Sequence, residues 1–362
     1  MIRVMVVDDT VMYRKIASEA LGSFSDVDVI CTASSGDIAL KRLAANKINL
    51  VLCDINMPGM SGVEILEVAK ESYPETLFVM MSGISGRHAE VTIEALQKGA
   101  LDFIKKPEGS CIQANRQALK NDLEGVLRIV RVRMGLRQHR PEKNSTSCSG
   151  LPTNRSSSPP PVVMAAPIPS KVAVLAIGVS TGGPEALNYL IPKLPATIGV
   201  PILLVQHMPR GFTKSLACSL DKKSALAVRE AQNGDLVVPA TVYIAPGGIH
   251  MTVRVKDESV VIGLDDGPPE NSCKPAVDVL FRSVASVYEG KGVLSVILTG
   301  MGADGLKGVK AIRKKGGYSI TQSPSSCVVY GMPKAIDDEG LSDKSVDLAS
   351  MHLEICKLLK TF

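Results

Sequence analysis

IGVSTGGPEAL, residues 177–187, marks the place where an apolar run (172–177) gives way to a helical pattern opened by Pro184. A strand that turns sharply into a helix leaves the side chain at the turn exposed at the carboxyl edge of a sheet. The unpaired N–H groups of the helix start lie nearby. Ser180 stands at this turn among Gly178, Gly182 and Gly183, which let the backbone turn tightly and a substrate come close. A nucleophilic serine and a phosphate cradle both suit such a turn. A dinucleotide site asks for Gly-x-Gly-x-x-Gly and an acid about 20 residues on. Here Ser180 takes the second glycine position, and the next apolar run, 202–206, ends without an acid.

Downstream, apolar runs at 202–206 and 293–298 alternate with helical segments, and 251–255 with 259–262 read as a hairpin added to a parallel core. The run ends carry the distinctive residues: Ser180, then Gln206-His207-Met208-Pro209, then TGMGADG with Asp304. A serine hydroxyl becomes a good nucleophile when a base takes its proton, and an imidazole does this best when a carboxylate fixes its tautomer. Of the five histidines, His207 alone falls directly at the end of a central run. Asp278 is the rival acid, though its helical spacing suggests a surface or packing role. The chain order Ser, His, Asp departs from the Ser, Asp, His order of α/β-hydrolases.

Upstream, apolar runs at 2–7, 29–33, 49–53, 77–81 and 102–104 alternate with helical patterns, which argues for a second parallel sheet covered on both faces. Polar residues collect after these runs: Asp8 and Asp9, Asp54, Ser82, and Lys106 with Pro107. Three carboxylates at one edge repel each other unless a cation sits among them, and Mg²⁺ suits such a set. A hydroxyl and an ammonium complement a tetrahedral anion, so this edge reads as a site for accepting a phosphoryl group on Asp54.

VVDDT, LCDINMPGMSG, MMSG and DFIKKP, in that order, resemble the motifs of response-regulator receiver domains. The resemblance implies a flavodoxin-like sheet, Mg²⁺ held by Asp8, Asp9 and Asp54, and phosphorylation of Asp54. It also implies phosphoryl sensing by Ser82, Lys106 and Phe103. Ser61 departs from an aspartate common in the MPGMSG loop. Beyond it, GVSTGGPEAL, QHMPRGFTKSLA, YIAPGGIHM, PAVDVLFRSVA, ILTGMGADG and VVYGMPKAI resemble the catalytic domain of chemotaxis protein-glutamate methylesterases. This implies Ser180 as nucleophile, His207 as base and acid, Asp304 as orienting acid, the Met301 amide in an oxyanion hole and Thr181 beside the nucleophile. The implied substrates are glutamate methyl esters, and glutamines, on chemoreceptors, and the implied phosphodonor is a chemotaxis histidine kinase. Gln322-Ser323-Pro324 departs from a common Gln-Asp.

The expected organisation is α/β throughout: a receiver at 1–133, a Ser/Pro-rich linker at 134–170 and a catalytic domain at 171–362. The linker composition cannot bury enough surface to order itself. As a flexible coil it reaches on the order of 30 Å, which holds the domains at an effective concentration near the millimolar scale. With 362 residues the chain can bury two cores, and 45% hydrophobic with 21% charged residues is ordinary for a globular protein. The eight cysteines form no C-x-x-C pair, so neither zinc nor a disulfide framework is indicated. The formal charge of +5 is carried by the stretch 128–143. That stretch lacks the aromatic interleaving of a nucleic-acid binder. A cytoplasmic monomer without membrane insertion or nucleic-acid partner is expected.

Overall fold

The computed structural model describes residues 1–83, 86–107, 112–135, 171–289 and 292–361. Most of the expected linker and the end of the basic stretch lie outside them. The first unit has strands β1 (Ile2–Val7), β2 (Val27–Ala33), β3 (Leu50–Asp54), β4 (Leu77–Ser82) and β5 (Asp102–Lys105). They form a five-stranded parallel sheet in the order β2-β1-β3-β4-β5. Helices α1 (Val11–Leu21), α2 (Gly36–Ala45), α3 (Gly62–Ser72), α4 (Gly86–Gln97) and α5 (Ile112–Arg133) connect and follow them. All residues of β3 and β4 are buried, as expected of parallel strands covered on both faces.

Ser61, the departure noted in the sequence, caps α3. Its hydroxyl accepts from the Glu64 amide at 3.3 Å, while the Glu64 carboxylate takes the Ser61 N–H at 2.7 Å. This reciprocal capping contributes about 1 kcal/mol to the helix start.

The second unit has β6 (Val174–Val179), β7 (Ile202–Gln206), β8 (Ala227–Glu230), β9 (Thr241–Ile244), β10 (His250–Lys256), β11 (Ser259–Asp265), β12 (Val293–Ile297), β13 (Tyr318–Gln322) and β14 (Lys344–Val346). Its helices are α6 (Gly183–Leu190), α7 (Phe212–Asp221), α8 (Val277–Val287), α9 (Leu306–Lys314), α10 (Met332–Asp338) and α11 (Leu348–Leu359). Seven strands make a parallel sheet in the order β14-β13-β12-β6-β7-β9-β8, and β10 with β11 forms a separate antiparallel pair. The sequence exposes only three of these seven strands as apolar runs. In β13 the buried side chains include Ser319, Thr321 and Gln322, whose polarity hides the strand. The order reverses beside β6, and such a switch point opens a crevice at the carboxyl ends of β6, β7 and β12.

The two units pack together. Helix α4 lies against α6 and α7, and buried residues of both units join in one continuous apolar cluster. The rings of Phe103 on β5 and Phe212 on α7 lie 4.5 Å apart between centroids. Gln97, at the end of α4, accepts through Oε1 from Ser219 and Lys223, each at 2.9 Å. Replacing Phe212 with alanine should speed hydrogen exchange in α4 and β5 while β6 and β12 keep their protection. Uniform loss of protection, read by mass spectrometry, would show that Phe212 supports the second core rather than the contact between units.

Candidate active site

The turn after β6 is anchored from three sides. The Ser180 amide donates to the Thr299 carbonyl at 3.0 Å, and Gln206 Nε2 donates to the Ser180 carbonyl at 2.9 Å and to the His207 carbonyl at 3.1 Å. Gln206 is 2% exposed, so this amide ties the ends of β6 and β7 together inside the protein. A Cβ on Gly300 would come within 2.8 Å of Ser180 Cβ, so only glycine lets the loop after β12 lie against the serine. The loop thereby brings Met301 alongside. Among the described residues, the Thr181 and Met301 amides donate to no other group. A free amide in a cleft beside a serine, such as that of Thr181, suits a developing oxyanion.

His207 follows β7, and its amide bonds the Val179 carbonyl at 3.2 Å. The ring donates from Nε2 to Asp304 Oδ2 at 2.8 Å. In the neutral ring that leaves Nδ1 as the accepting nitrogen, and Cys273 Sγ lies 3.5 Å from it. Ser180 and His207 line one narrow cleft with Thr181, Gly182 and Met208. No hydrogen bond joins the serine hydroxyl to the ring among the described residues. A small closing movement would be needed to join them, as is common before substrate binds.

Asp304 is 2% exposed and collects five donors. Its Oδ2 accepts from Val277 N at 2.6 Å and from His207; its Oδ1 accepts from Asn271 Nδ2 at 2.9 Å, Gly305 N at 3.0 Å and Asp278 N at 3.1 Å. Burial alone would push its carboxyl up, but His207 and the amides hold it below the ordinary value. For His207, burial acts downward and is outweighed by Asp304 and Cys273, which raise it to about 9. Asp278 is not at the surface. It is fully buried, it accepts from Gly308 N at 2.7 Å and Asn271 Nδ2 at 2.9 Å, and burial pushes its carboxyl up. Helical spacing alone could not place it there, because its partners come from α9 and from the loop before α8. Gln206 stands in the notable motif without an assigned task, and nothing in the sequence marks Cys273 or Asn271.

The second cluster lies at the carboxyl edge of the first sheet. Asp8, Asp9 and Asp54 place carboxylate oxygens within 4.8 Å of one another. Lys106 Nζ lies 2.7 Å from Asp8 Oδ2 and 2.6 Å from Asp54 Oδ2. Asp8 Oδ2 is nonetheless buried without a donor in hydrogen-bond geometry. Burial raises the Asp54 carboxyl, with Lys106 opposing and Asp8 adding to the rise. Three converging carboxylates with one ammonium between two of them offer an all-oxygen set that fits a hard divalent cation. The Ser82 hydroxyl is engaged elsewhere than at Asp54: it accepts from Thr92 Oγ1 at 2.8 Å and donates to the Gly83 carbonyl at 3.1 Å. Thr92 belongs to α4, the helix that packs on the second unit.

The two clusters are adjacent through β5. Leu96, Leu101, Asp102 and Phe103 of the first unit form one wall of the Ser180 cleft. Met301 and Val328 pack against an apolar cluster built mainly from the first unit. Burial pushes the Asp102 carboxyl up to about 6, with the Phe103 amide opposing.

Family models match in two places: a response regulator receiver domain at residues 4–114 and a CheB methylesterase at residues 175–355. A protein-glutamate methylesterase/protein-glutamine glutaminase of Desulfotalea psychrophila is 42% identical, over 100% of this chain and 99% of its own. One of the same name from Thermotoga maritima is 37% identical, over 94% of each chain. The crystal structure of the Thermotoga maritima CheB methylesterase catalytic domain superposes with a TM-score of 0.51 at 42% identity, covering 52% of this chain and 99% of that one.

A ¹⁵N titration of the His207 ring should show a midpoint near 9. In Asp304→Asn the midpoint should fall by at least about one unit, because the anion that favours the imidazolium is gone. Because the folded midpoint lies above the free value of about 6.5, protonated His207 stabilises the fold fully below that pH. The contribution fades as pH rises through about 9. An unshifted midpoint in Asp304→Asn would remove Asp304 as the partner that sets the ring.

Proposed function

Because the chain belongs to the CheB methylesterase family and is a hydrolase fused to a receiver domain, we propose that Ser180, His207 and Asp304 hydrolyse side-chain methyl esters of glutamate, and the amide of glutamine, on chemoreceptors. The observation that carries this reading is the Asp304–His207 pair at the cleft that His207 lines with Ser180, with the unpaired Thr181 amide in the same lining.

Ser180 Oγ attacks the ester carbonyl carbon while its proton passes to His207 Nδ1, and the carbonyl oxygen takes the charge against the Thr181 and Met301 amides. Collapse breaks the acyl C–O bond, and the leaving methanol takes the proton from His207. Water then attacks the acyl-enzyme, with His207 again accepting the proton and returning it to Ser180. Glutamate is released. From glutamine the leaving group is ammonia. Asp304 keeps the proton of the ring on Nε2, so that Nδ1 faces the reaction. With a midpoint near 9, the neutral ring is a minor species at pH 7 and turnover rises with pH toward that value.

For the receiver, a chemotaxis histidine kinase is the proposed phosphodonor and Asp54 the acceptor. Asp8, Asp9 and Asp54 would hold Mg²⁺, which neutralises the carboxylates and the incoming phosphoryl oxygens. Lys106 then pairs with the phosphoryl group, and Ser82 leaves Thr92 to reach it. Phe103 and α4, released from their resting contacts, loosen the wall that β5 places over the cleft. In the resting arrangement the receiver thus covers the esterase site. Residues 1–133 act as receiver, 134–170 as tether and 171–362 as catalyst, in a cytoplasmic monomer that binds no nucleic acid. No described helix is long and apolar enough to cross a membrane.

Methanol release from methylated chemoreceptor membranes should fall by on the order of 10⁴-fold in Ser180→Ala, with the fold intact by circular dichroism. Retained turnover would exclude Ser180 as nucleophile. Asp54→Asn should keep basal release and lose its stimulation by Mg²⁺ with a small phosphodonor. Stimulation that survives would place the acceptor elsewhere.

A further inference from the structure

Cys273 plays no part in the proposed reaction, yet its sulfur lies against the ring nitrogen the reaction uses. His207, Cys273 and Asp304 each offer one metal-ligating atom within 4.8 Å of the others. The distances separate their roles. Zinc lies about 2.3 Å from a thiolate sulfur and 2.0–2.1 Å from an imidazole nitrogen, so a tetrahedral ion sets the two about 3.6 Å apart. Cys273 Sγ and His207 Nδ1 stand 3.5 Å apart already. A ring nitrogen that binds metal is usually the one opposite a carboxylate, which holds the other N–H and orients the lone pair. Asp304 does this at Nε2, 2.8 Å away, and its four other donors keep it in place. Neither His207 nor Cys273 is fully buried and His207 lines the cleft, so water can complete the coordination.

We propose that Cys273 Sγ and His207 Nδ1 form a binding site for a thiophilic divalent cation of the zinc type, and that its occupancy shuts the esterase off. Binding releases the Cys273 thiol proton and the Nδ1 proton of the imidazolium to solvent, and forms the metal–sulfur and metal–nitrogen bonds. The same ion takes the Nδ1 lone pair that must receive the Ser180 proton. The site differs in kind from the aspartate cluster of the receiver, which offers only oxygen and suits a hard cation. The metal-binding claim stands on geometry alone; the inhibition rests on the catalytic reading of His207.

Co²⁺ reports the site directly, because a cobalt–thiolate bond gives near-ultraviolet charge-transfer absorption that carboxylate ligands do not. Adding Co²⁺ to the full-length protein should produce this band, and Zn²⁺ should displace it. Cys273→Ser and Cys273→Ala should both lack it, while Cys218→Ser, at an exposed cysteine, should retain it. The Zn²⁺ concentration that halves methanol release should rise at least roughly tenfold in either Cys273 variant, relative to that variant's own uninhibited rate. A band that persists without Cys273, no band in the parent protein, or equal Zn²⁺ sensitivity of parent and variants would overturn the proposal. A band in a protein that releases no methanol would instead refute the esterase reading and leave the metal site standing.

Discussion

A carboxylate withdrawn from water must find donors for its charge, and Asp304 finds five from four separate pieces of chain. Its position gathers the start of α8, the loop at Asn271, the start of α9 and the end of β7 around one point. An unpaired buried carboxylate costs several kcal/mol. These segments therefore cannot drift apart independently, and the ring of His207 inherits their rigidity. The catalytic cleft is in this sense assembled around a negative charge, and the apolar core supplies the setting in which that charge acts strongly.

The receiver edge poses the opposite electrostatic problem. There, carboxylates converge without enough donors, and the Lys106 ammonium stands between Asp8 and Asp54. Asp8 Oδ2 still lacks a donor in good geometry. One buried acid is thus fully satisfied and rigid, whereas the other cluster is only partly neutralised and open to a cation and an anion together. The first arrangement suits a fixed catalytic constellation and the second suits a switch. Both follow from how many N–H groups the local backbone directs at each carboxylate.

Much of this was legible in the sequence, for physical reasons. Parallel strands buried on both faces are mostly apolar, which exposes β1, β3, β4, β6, β7 and β12 as runs. The polar residues that follow them fall at one sheet edge by topology alone. β13 escaped notice because it buries polar side chains, two of which are satisfied by distant partners: Thr321 bonds Asp337 at 2.8 Å, and Gln322 Oε1 accepts from Thr299 N at 2.8 Å. The short β8, β9 and β14 offered too few residues for a pattern. Of the surface or packing roles open to Asp278 the structure shows the buried one, and Cys273 looked unremarkable and touches His207. Each depends on a contact between segments remote in the chain, which periodicity cannot encode. Ser323, the departure noted near the site, hydrogen-bonds the Asp347 carboxylate, so an aspartate at that position would set two negative charges together.

The continuous apolar cluster shared by the two units has a thermal consequence. Separating them exposes nonpolar surface to water, so the opening carries a positive heat capacity, and the contact weakens on cooling as hydrophobic attraction does. On the proposed reading phosphorylation acts on this same contact, so in the cold a smaller push would uncover the cleft and offset part of the slowing that low temperature imposes on the chemical step itself.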